Sequence, residues 1–152
     1  MKVVFDTSVL VPALVASHPA HGRAFVWLEA VRRQSLSGAV AWHGLAELWS
    51  VLTRFPLVPA VAPADATAMV ERLASLLEVL PMTAGVYRLA FERATTKRVR
   101  SGALFDALHL AAAEKASADA FVTLNPLDFE RLAAEGSPRI VVPPDPPRVS
   151  LK

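Results

Sequence analysis

Four acidic residues stand where a carboxylate has few structural uses. Asp6 directly follows the apolar run Val3-Val4-Phe5, and Glu47 sits in Gly44-Leu45-Ala46-Glu47-Leu48-Trp49. Asp106 lies in Leu104-Phe105-Asp106-Ala107-Leu108-His109, and Asp128 closes Leu124-Asn125-Pro126-Leu127-Asp128, shortly after the run Ala120-Phe121-Val122-Thr123. A carboxylate is costly in apolar surroundings unless something binds it. Oxygen ligands in a chain without cysteine point to a hard divalent cation, Mg²⁺ or Mn²⁺.

The elements that must carry these acids alternate in type. Residues 2–5 read as a buried strand, and residues 8–16 and 20–34 as helices, the second with Phe25 and Leu28 on its apolar face together with Val31 or Arg32. A strand is expected over 38–41 and a helix over 43–54, with Leu45, Leu48 and Leu52 on one side. Residues 55–64 hold three prolines and read as a loop, after which Asp65 is placed to cap a helix over 66–77. A strand at 78–80, helices at 83–97 and 103–117, a strand at 119–123, a short helix at 127–134 and a last strand at 139–142 complete the pattern. Strands alternating with helices imply an α/β fold, a parallel sheet with helices on both faces. The domain should span residues 1–142, leaving 143–152 as an extended tail with four prolines.

In an open parallel sheet, ligands bind beyond the carboxyl ends of the strands, where the strand order reverses. Asp6 ends the first strand, and Asn125 and Asp128 follow the fourth. With the strands in the order 3-2-1-4-5, those two strands are neighbours and their loops open into one crevice. Glu47 and Asp106 fall in the first turns of their helices, Asp106 with Ser101 as a candidate cap. The positive end of a helix dipole favours an ionised carboxylate there, which is equally an ordinary helix-stabilising role.

Composition narrows the function classes. The chain has 152 residues, is 53% hydrophobic and carries a net charge of +2, which suits one globular domain and does not by itself announce a nucleic-acid binder. The absence of cysteine excludes a disulfide framework. The apolar start is interrupted by Asp6 and Pro12, so a cleaved signal is not expected. No charge-free apolar stretch is long enough to span a membrane, and the protein is expected to be cytoplasmic.

The segments Val4-Phe5-Asp6-Thr7-Ser8-Val9-Leu10, Leu45-Ala46-Glu47-Leu48 with Val51-Leu52-Thr53-Arg54, Asp106-Ala107-Leu108-His109-Leu110-Ala111, and Phe121-Val122-Thr123-Leu124-Asn125-Pro126-Leu127-Asp128-Phe129 together resemble PIN-domain ribonucleases. Within that family they are most similar to the VapC-type toxins of toxin–antitoxin pairs. The resemblance covers nearly the whole chain, with the segments in the family's order. It implies a PIN-like three-layer fold with the sheet order 3-2-1-4-5, Mg²⁺- or Mn²⁺-dependent hydrolysis of RNA to 5′-phosphate products, a homodimer, and an antitoxin partner laid across helices near the pocket. Asp6, Glu47 and Asp106 fall on the family's three most regular acids. The fourth position holds Asn125 where many members have aspartate, and Asp128 three residues later is its alternative. Asp6 and Asp106 are the expected direct metal ligands, Glu47 and Asp128 complete the pocket, and Thr7 and Ser8 are candidates to orient a carboxylate.

Other residues carry weaker signals. Arg93, Lys97 and Arg100, near Arg88 and Arg98, are candidate phosphate contacts at helical spacing, or a solvated helix face. His109 and His43 read as structural residues, His18 and His21 as loop residues, and no histidine pair has metal-ligand spacing. Trp49 is expected in the core. Two other readings are a PIN nuclease of RNA maturation without antitoxin, and a non-catalytic α/β domain whose acids bind a metal or small ligand. The loop after the first strand has no glycine, so a phosphate-binding nucleotide domain is poorly supported.

Overall fold

Residues 3–5, 39–41 and 120–122 are buried throughout, and runs without a polar face are what a strand covered on both sides requires. In a computed structural model, which describes residues 1–143, they are the middle of a parallel sheet. The expected tail lies outside the described residues beyond Pro143. The elements are β1 (Lys2–Phe5), α1 (Thr7–Leu14), α2 (His21–Arg32), β2 (Ser37–Ala41), α3 (Trp42–Arg54), α4 (Pro63–Leu76), β3 (Glu78–Leu80), α5 (Ala84–Thr96), α6 (Ala103–Lys115), β4 (Ala120–Val122), α7 (Pro126–Glu130) and β5 (Arg139–Val141). The strand order is β3-β2-β1-β4-β5, as the family resemblance implied. Val4 is in register with Ala39 on one side and Phe121 on the other.

Alternation along the strands divides the core into two layers. Val3, Phe5, Val40, Ala120 and Val122 face α1 to α4, while Val4, Ala39, Ala41 and Phe121 face α5 to α7. Among the described residues no helix is long and apolar enough to cross a membrane.

Several local expectations are corrected. The buried face of α2 is Ala24, Trp27 and Val31, and Phe25 is exposed; the core-facing stripe runs one position away from the one read. Pro63 opens α4 at a position that suits its fixed φ and missing N–H, so Ala62 is the N-cap and Asp65 lies inside the first turn. Gly102 caps α6, and Ser101, with φ of 52°, gives its carbonyl rather than its hydroxyl to the Leu104 N–H. Trp49 is on the surface, its indole N–H donating to Thr67 Oγ1 at 3.1 Å. An indole with a polar partner at the helix edge has no need of the core.

Gly38 shows how tightly β2 is covered. A Cβ there would lie 2.6 Å from Val31 Cγ2, 2.8 Å from Leu77 Cδ2 and 3.1 Å from Phe5 Cε2. Gly38→Ala is therefore expected to destabilise the protein by about 1–3 kcal/mol through overpacking, read from the urea unfolding midpoint. A wild-type midpoint would show that α2 and α4 can move off the sheet at little cost.

Candidate functional site

At the carboxyl end of β1 the backbone passes to α1 through Asp6, whose N–H donates to Val122 O at 2.9 Å and so ties the loop to β4. Asp6 is buried. Ser8 Oγ donates to Asp6 Oδ2 at 2.6 Å and Thr123 Oγ1 donates to the same oxygen at 2.8 Å. Among the described residues no hydrogen bond falls on Oδ1, which leaves that oxygen for a ligand. The same hydroxyls hold the loop after β4: Leu124 N–H donates to Ser8 Oγ and Asn125 N–H to Thr123 Oγ1, each at 2.9 Å. Thr123 did not stand out in the sequence. Its only signal there is a hydroxyl at the end of an otherwise apolar strand.

Glu47 enters from α3. Its Oε2 accepts from Thr7 Oγ1 at 3.1 Å. His109 Nε2 lies 3.2 Å from Oε2, and His43 Nε2 lies 2.9 Å from Oε1. Neither ring is aligned for a hydrogen bond, and both nitrogens of the buried His109 lack a hydrogen-bond partner among the described residues. Burial pushes the Glu47 carboxyl up, but His109, His43 and Thr7 together outweigh it and hold the group below its ordinary value. Burial pushes His109 down, yet Glu47 beside it, with Asp6 and Asp106 beyond, leaves the imidazole raised. No local pattern pairs these histidines, since 66 residues separate them in the chain. Contact between α3 and α6 brings them together, at Gly44, where a Cβ would meet His109 Cε1 at 3.2 Å.

Asp106, in the first turn of α6, has its carboxyl pushed up to about 6, by burial first and then by the charges of Asp128, Asp6 and Glu47. Asp6, Glu47, Asp106 and Asn125 line one cleft of about 440 Å³, whose other wall is apolar, with Val11, Val51, Phe55 and Leu124. His18, expected only as a loop residue, also borders it. Asp128 is half-exposed, 4.0 Å from Arg131; it does not line the cleft but acts on Asp106 electrostatically. A larger cleft of about 520 Å³ opens at the amino ends of the strands, around Met1, Gln34, Ser37 and Glu78. Its carboxylate, Glu78, is paired with Lys2 at 2.8 Å, so the chemistry belongs to the smaller cleft.

The basic residues separate. Lys97 and Arg100 are exposed around the turn between α5 and α6. Arg93 is turned inward: its Nη1 and Nη2 donate to the two carboxylate oxygens of Glu114 at 2.9 and 3.0 Å, and Nη1 also donates to Leu132 O at 2.8 Å. A fork satisfied in this way joins α5 to α6 and to the turn after α7, and is not free to contact phosphate.

The acidic set fits a hard divalent cation. Asp106, raised by burial and by the carboxylates around it, marks a concentration of negative charge, and oxygen donors are what Mg²⁺ and Mn²⁺ prefer. A pH prediction follows from Asp106. Its value in the folded protein lies above the 3.8 of the free side chain, so its contribution to stability is complete below about pH 4 and is lost as pH rises through about 6. After solvent screening at a partly buried carboxyl, the metal-free protein should lose on the order of 1 kcal/mol over that interval. Added Mg²⁺ or Mn²⁺ should restore stability above pH 6 by mass action. Thermal melts across pH with and without metal test this; a metal effect equally large at low pH would contradict it.

Comparison with known proteins places these features in context. The PIN domain family pattern matches residues 3–135. Ribonuclease VapC27 of Mycobacterium tuberculosis is 42% identical over 118 residues, covering 72% of this chain and 75% of that protein. Among solved structures, VapBC2 of Rickettsia felis, bound to a DNA fragment from its promoter, aligns with a TM-score of 0.67 at 19% identity, over 93% of this chain and 98% of that one. VapC20 of Mycobacterium tuberculosis, a sarcin–ricin loop cleaving toxin, aligns with a TM-score of 0.66 at 22% identity, over 90% of this chain and 99% of that one. At such identities the two structures bear on the fold alone.

Proposed function

The chain belongs to the PIN-domain family, and from that premise we propose that it is a Mg²⁺- or Mn²⁺-dependent endoribonuclease, the cytoplasmic toxin of a type II toxin–antitoxin pair that stops translation by cutting tRNA, rRNA or mRNA. The observation that carries the reading is the convergence of Asp6, Glu47 and Asp106 on one cleft, where burial and then the charges of Asp128, Asp6 and Glu47 raise Asp106 to about 6. The 42% identity to a curated VapC ribonuclease supports the toxin assignment. The apolar wall beside the acids suits an antitoxin segment with an apolar face, and the active form is proposed to be a homodimer.

When bound, the metal supplies a lowered pKa for water and charge neutralisation at the phosphate. The residues of the chain do the rest. Asp6 presents Oδ1 while Ser8 and Thr123 hold Oδ2, and Asp106 provides the facing carboxylate, ionised above about pH 6. Thr7 and the two histidines keep Glu47 ionised and oriented. Asp128, or Asn125 on the cleft wall, completes the set, and Lys97 and Arg100 are proposed phosphate contacts at the exposed turn.

The test is digestion of total tRNA and rRNA by the purified protein, with Mn²⁺ or with EDTA. Discrete cuts bearing 5′-phosphate ends, seen only with metal, are the expected result. Folded, antitoxin-free protein that leaves every RNA intact would overturn the proposal.

A further inference from the structure

The cluster on the far side of Glu47 has a different chemistry from the carboxylates. His43 and Glu47 are four residues apart on α3 and so share a face, and His109 meets them from α6. One ligand atom from each lies within 4.8 Å of the others. A tetrahedral site with bonds of about 2.0–2.1 Å sets its ligand atoms ~3.3 Å apart; here the carboxylate faces both rings, His43 Nε2 2.9 Å from Oε1 and His109 Nε2 3.2 Å from Oε2. Phe105 stacks on His43, with centroids 5.4 Å apart and planes at 16°, and steadies that ring.

A second observation points to a ligand. His109 is 1% exposed, and among the described residues neither of its nitrogens has a hydrogen-bond partner, although Nε2 lies 3.2 Å from Glu47 Oε2. Burying an imidazole with both nitrogens unsatisfied costs on the order of 1–3 kcal/mol for each group. The fold accepts that cost and keeps a glycine at position 44 where a Cβ would crowd the ring. A cation between the three side chains removes the deficit at Nε2.

We propose that His43, Glu47 and His109 form a second cation site, selective for a borderline divalent metal of the zinc class, and that filling it inhibits the enzyme by withdrawing Glu47 from the carboxylate cluster. Two imidazoles and one carboxylate suit Zn²⁺ or Co²⁺ and leave a fourth position open. Mg²⁺ strongly prefers oxygen and does not compete well for such a set. His43 Nε2 is itself buried, and the partly exposed Glu47 carboxylate provides the path for the ion. Only the inhibitory half of this inference rests on the proposed nuclease; the binding half stands without it.

The experiment is titration of the purified metal-free protein with Co²⁺, read by its visible absorption, and with Zn²⁺, read by calorimetry, both in excess Mg²⁺. One equivalent per chain with the spectrum of a four-coordinate nitrogen–oxygen site is expected. His43→Gln should weaken binding at least about tenfold, the lower end of what even outer ligand partners contribute, whereas Asp106→Asn should leave it in place. Equal binding by wild type and His43→Gln, or loss in Asp106→Asn alone, would place the ion among the carboxylates and overturn the site. His109→Gln is a second variant, read only if its melting curve is cooperative. In the cleavage assay, Zn²⁺ should reduce the Mg²⁺-supported rate, and His43→Gln should need at least about tenfold more Zn²⁺ for the same fractional loss, each variant scaled to its own rate. Absent cleavage with Mg²⁺ alone would count against the nuclease, and the Co²⁺ spectrum would still decide the site.

Discussion

Asp106→Asn is expected to reduce RNA cleavage by at least about 10³-fold and, in the same protein, to raise the melting temperature measured without metal. The loss of rate follows from removing one of two proposed direct metal ligands, since a bound divalent ion contributes several kcal/mol to stabilising charge on the phosphate. The gain in stability follows from the electrostatics of the cleft. Burial and the charges of Asp128, Asp6 and Glu47 all oppose ionisation of Asp106, so an amide of the same shape relieves a strain that the carboxylate imposes above about pH 6. At this partly buried position the relief is on the order of 1 kcal/mol after screening, which in a chain of this size corresponds to about 2–4 °C. The variant should also lose most of the stabilisation that Mg²⁺ or Mn²⁺ gives the wild type. Activity and metal-free melting temperature thus move in opposite directions, which a simple folding defect cannot produce. An Asp106→Asn protein with full activity would sink the nuclease assignment, and one with a lowered metal-free melting temperature would sink the account of the cleft.

Arg93→Ala is expected to be the most damaging single change to the fold outside the apolar core, at about 3–5 kcal/mol. The side chains of Arg93 and Glu114 are 12% and 11% exposed, and their bidentate contact is completed by Leu132 O and by Ser137, whose hydroxyl donates to Glu114. Truncating the arginine leaves the Glu114 carboxylate buried without its counter-charge and removes the clamp on the turn after α7. In a protein of this size the melting temperature should fall by roughly 6–20 °C. Replacing both partners, as in Arg93→Met with Glu114→Leu, should restore most of the stability, because a buried pair exchanged for apolar groups of similar volume is often neutral. A single variant within about 1 kcal/mol of wild type would mean that water reaches Glu114 and that the pair adds little. Charge reversal at Lys97 or Arg100 should leave the melting temperature nearly unchanged and lower the salt dependence of RNA binding.

The architecture was readable from the chain because its signals are local and repeated. Apolar runs of strand length, helical periodicity between them and prolines at the breaks place the strands to within a residue or two, and the alternation of strands with helices implies a parallel sheet. The order 3-2-1-4-5 came from the resemblance, since periodicity says nothing about which strands are neighbours. Boundaries were less legible where two local rules compete. Asp65 has the chemistry of a cap, but Pro63 has the backbone that starts a helix earlier. On α2, Phe25 and Trp27 are both large and apolar; which one is buried depends on the packing of α2 against β2 and α1, and the choice fell on Trp27.

For the site, the inventory was legible in the chain: the acids Asp6, Glu47, Asp106 and Asp128, hydroxyls at positions 7 and 8, and no sulfur ligand. Residue type and distance from an element boundary carry that information, and both are written in the chain. Which groups touch was set by the packing of the elements. It joined Thr123 and Ser8 to a single oxygen of Asp6, turned Arg93 inward to Glu114, and set His109 of α6 against His43 and Glu47 of α3. These contacts lie between residues distant in sequence, and they depend on the angle and depth at which two helices pack on a sheet. That geometry is set by the whole core, down to the missing Cβ at Gly44, and no local pattern encodes it.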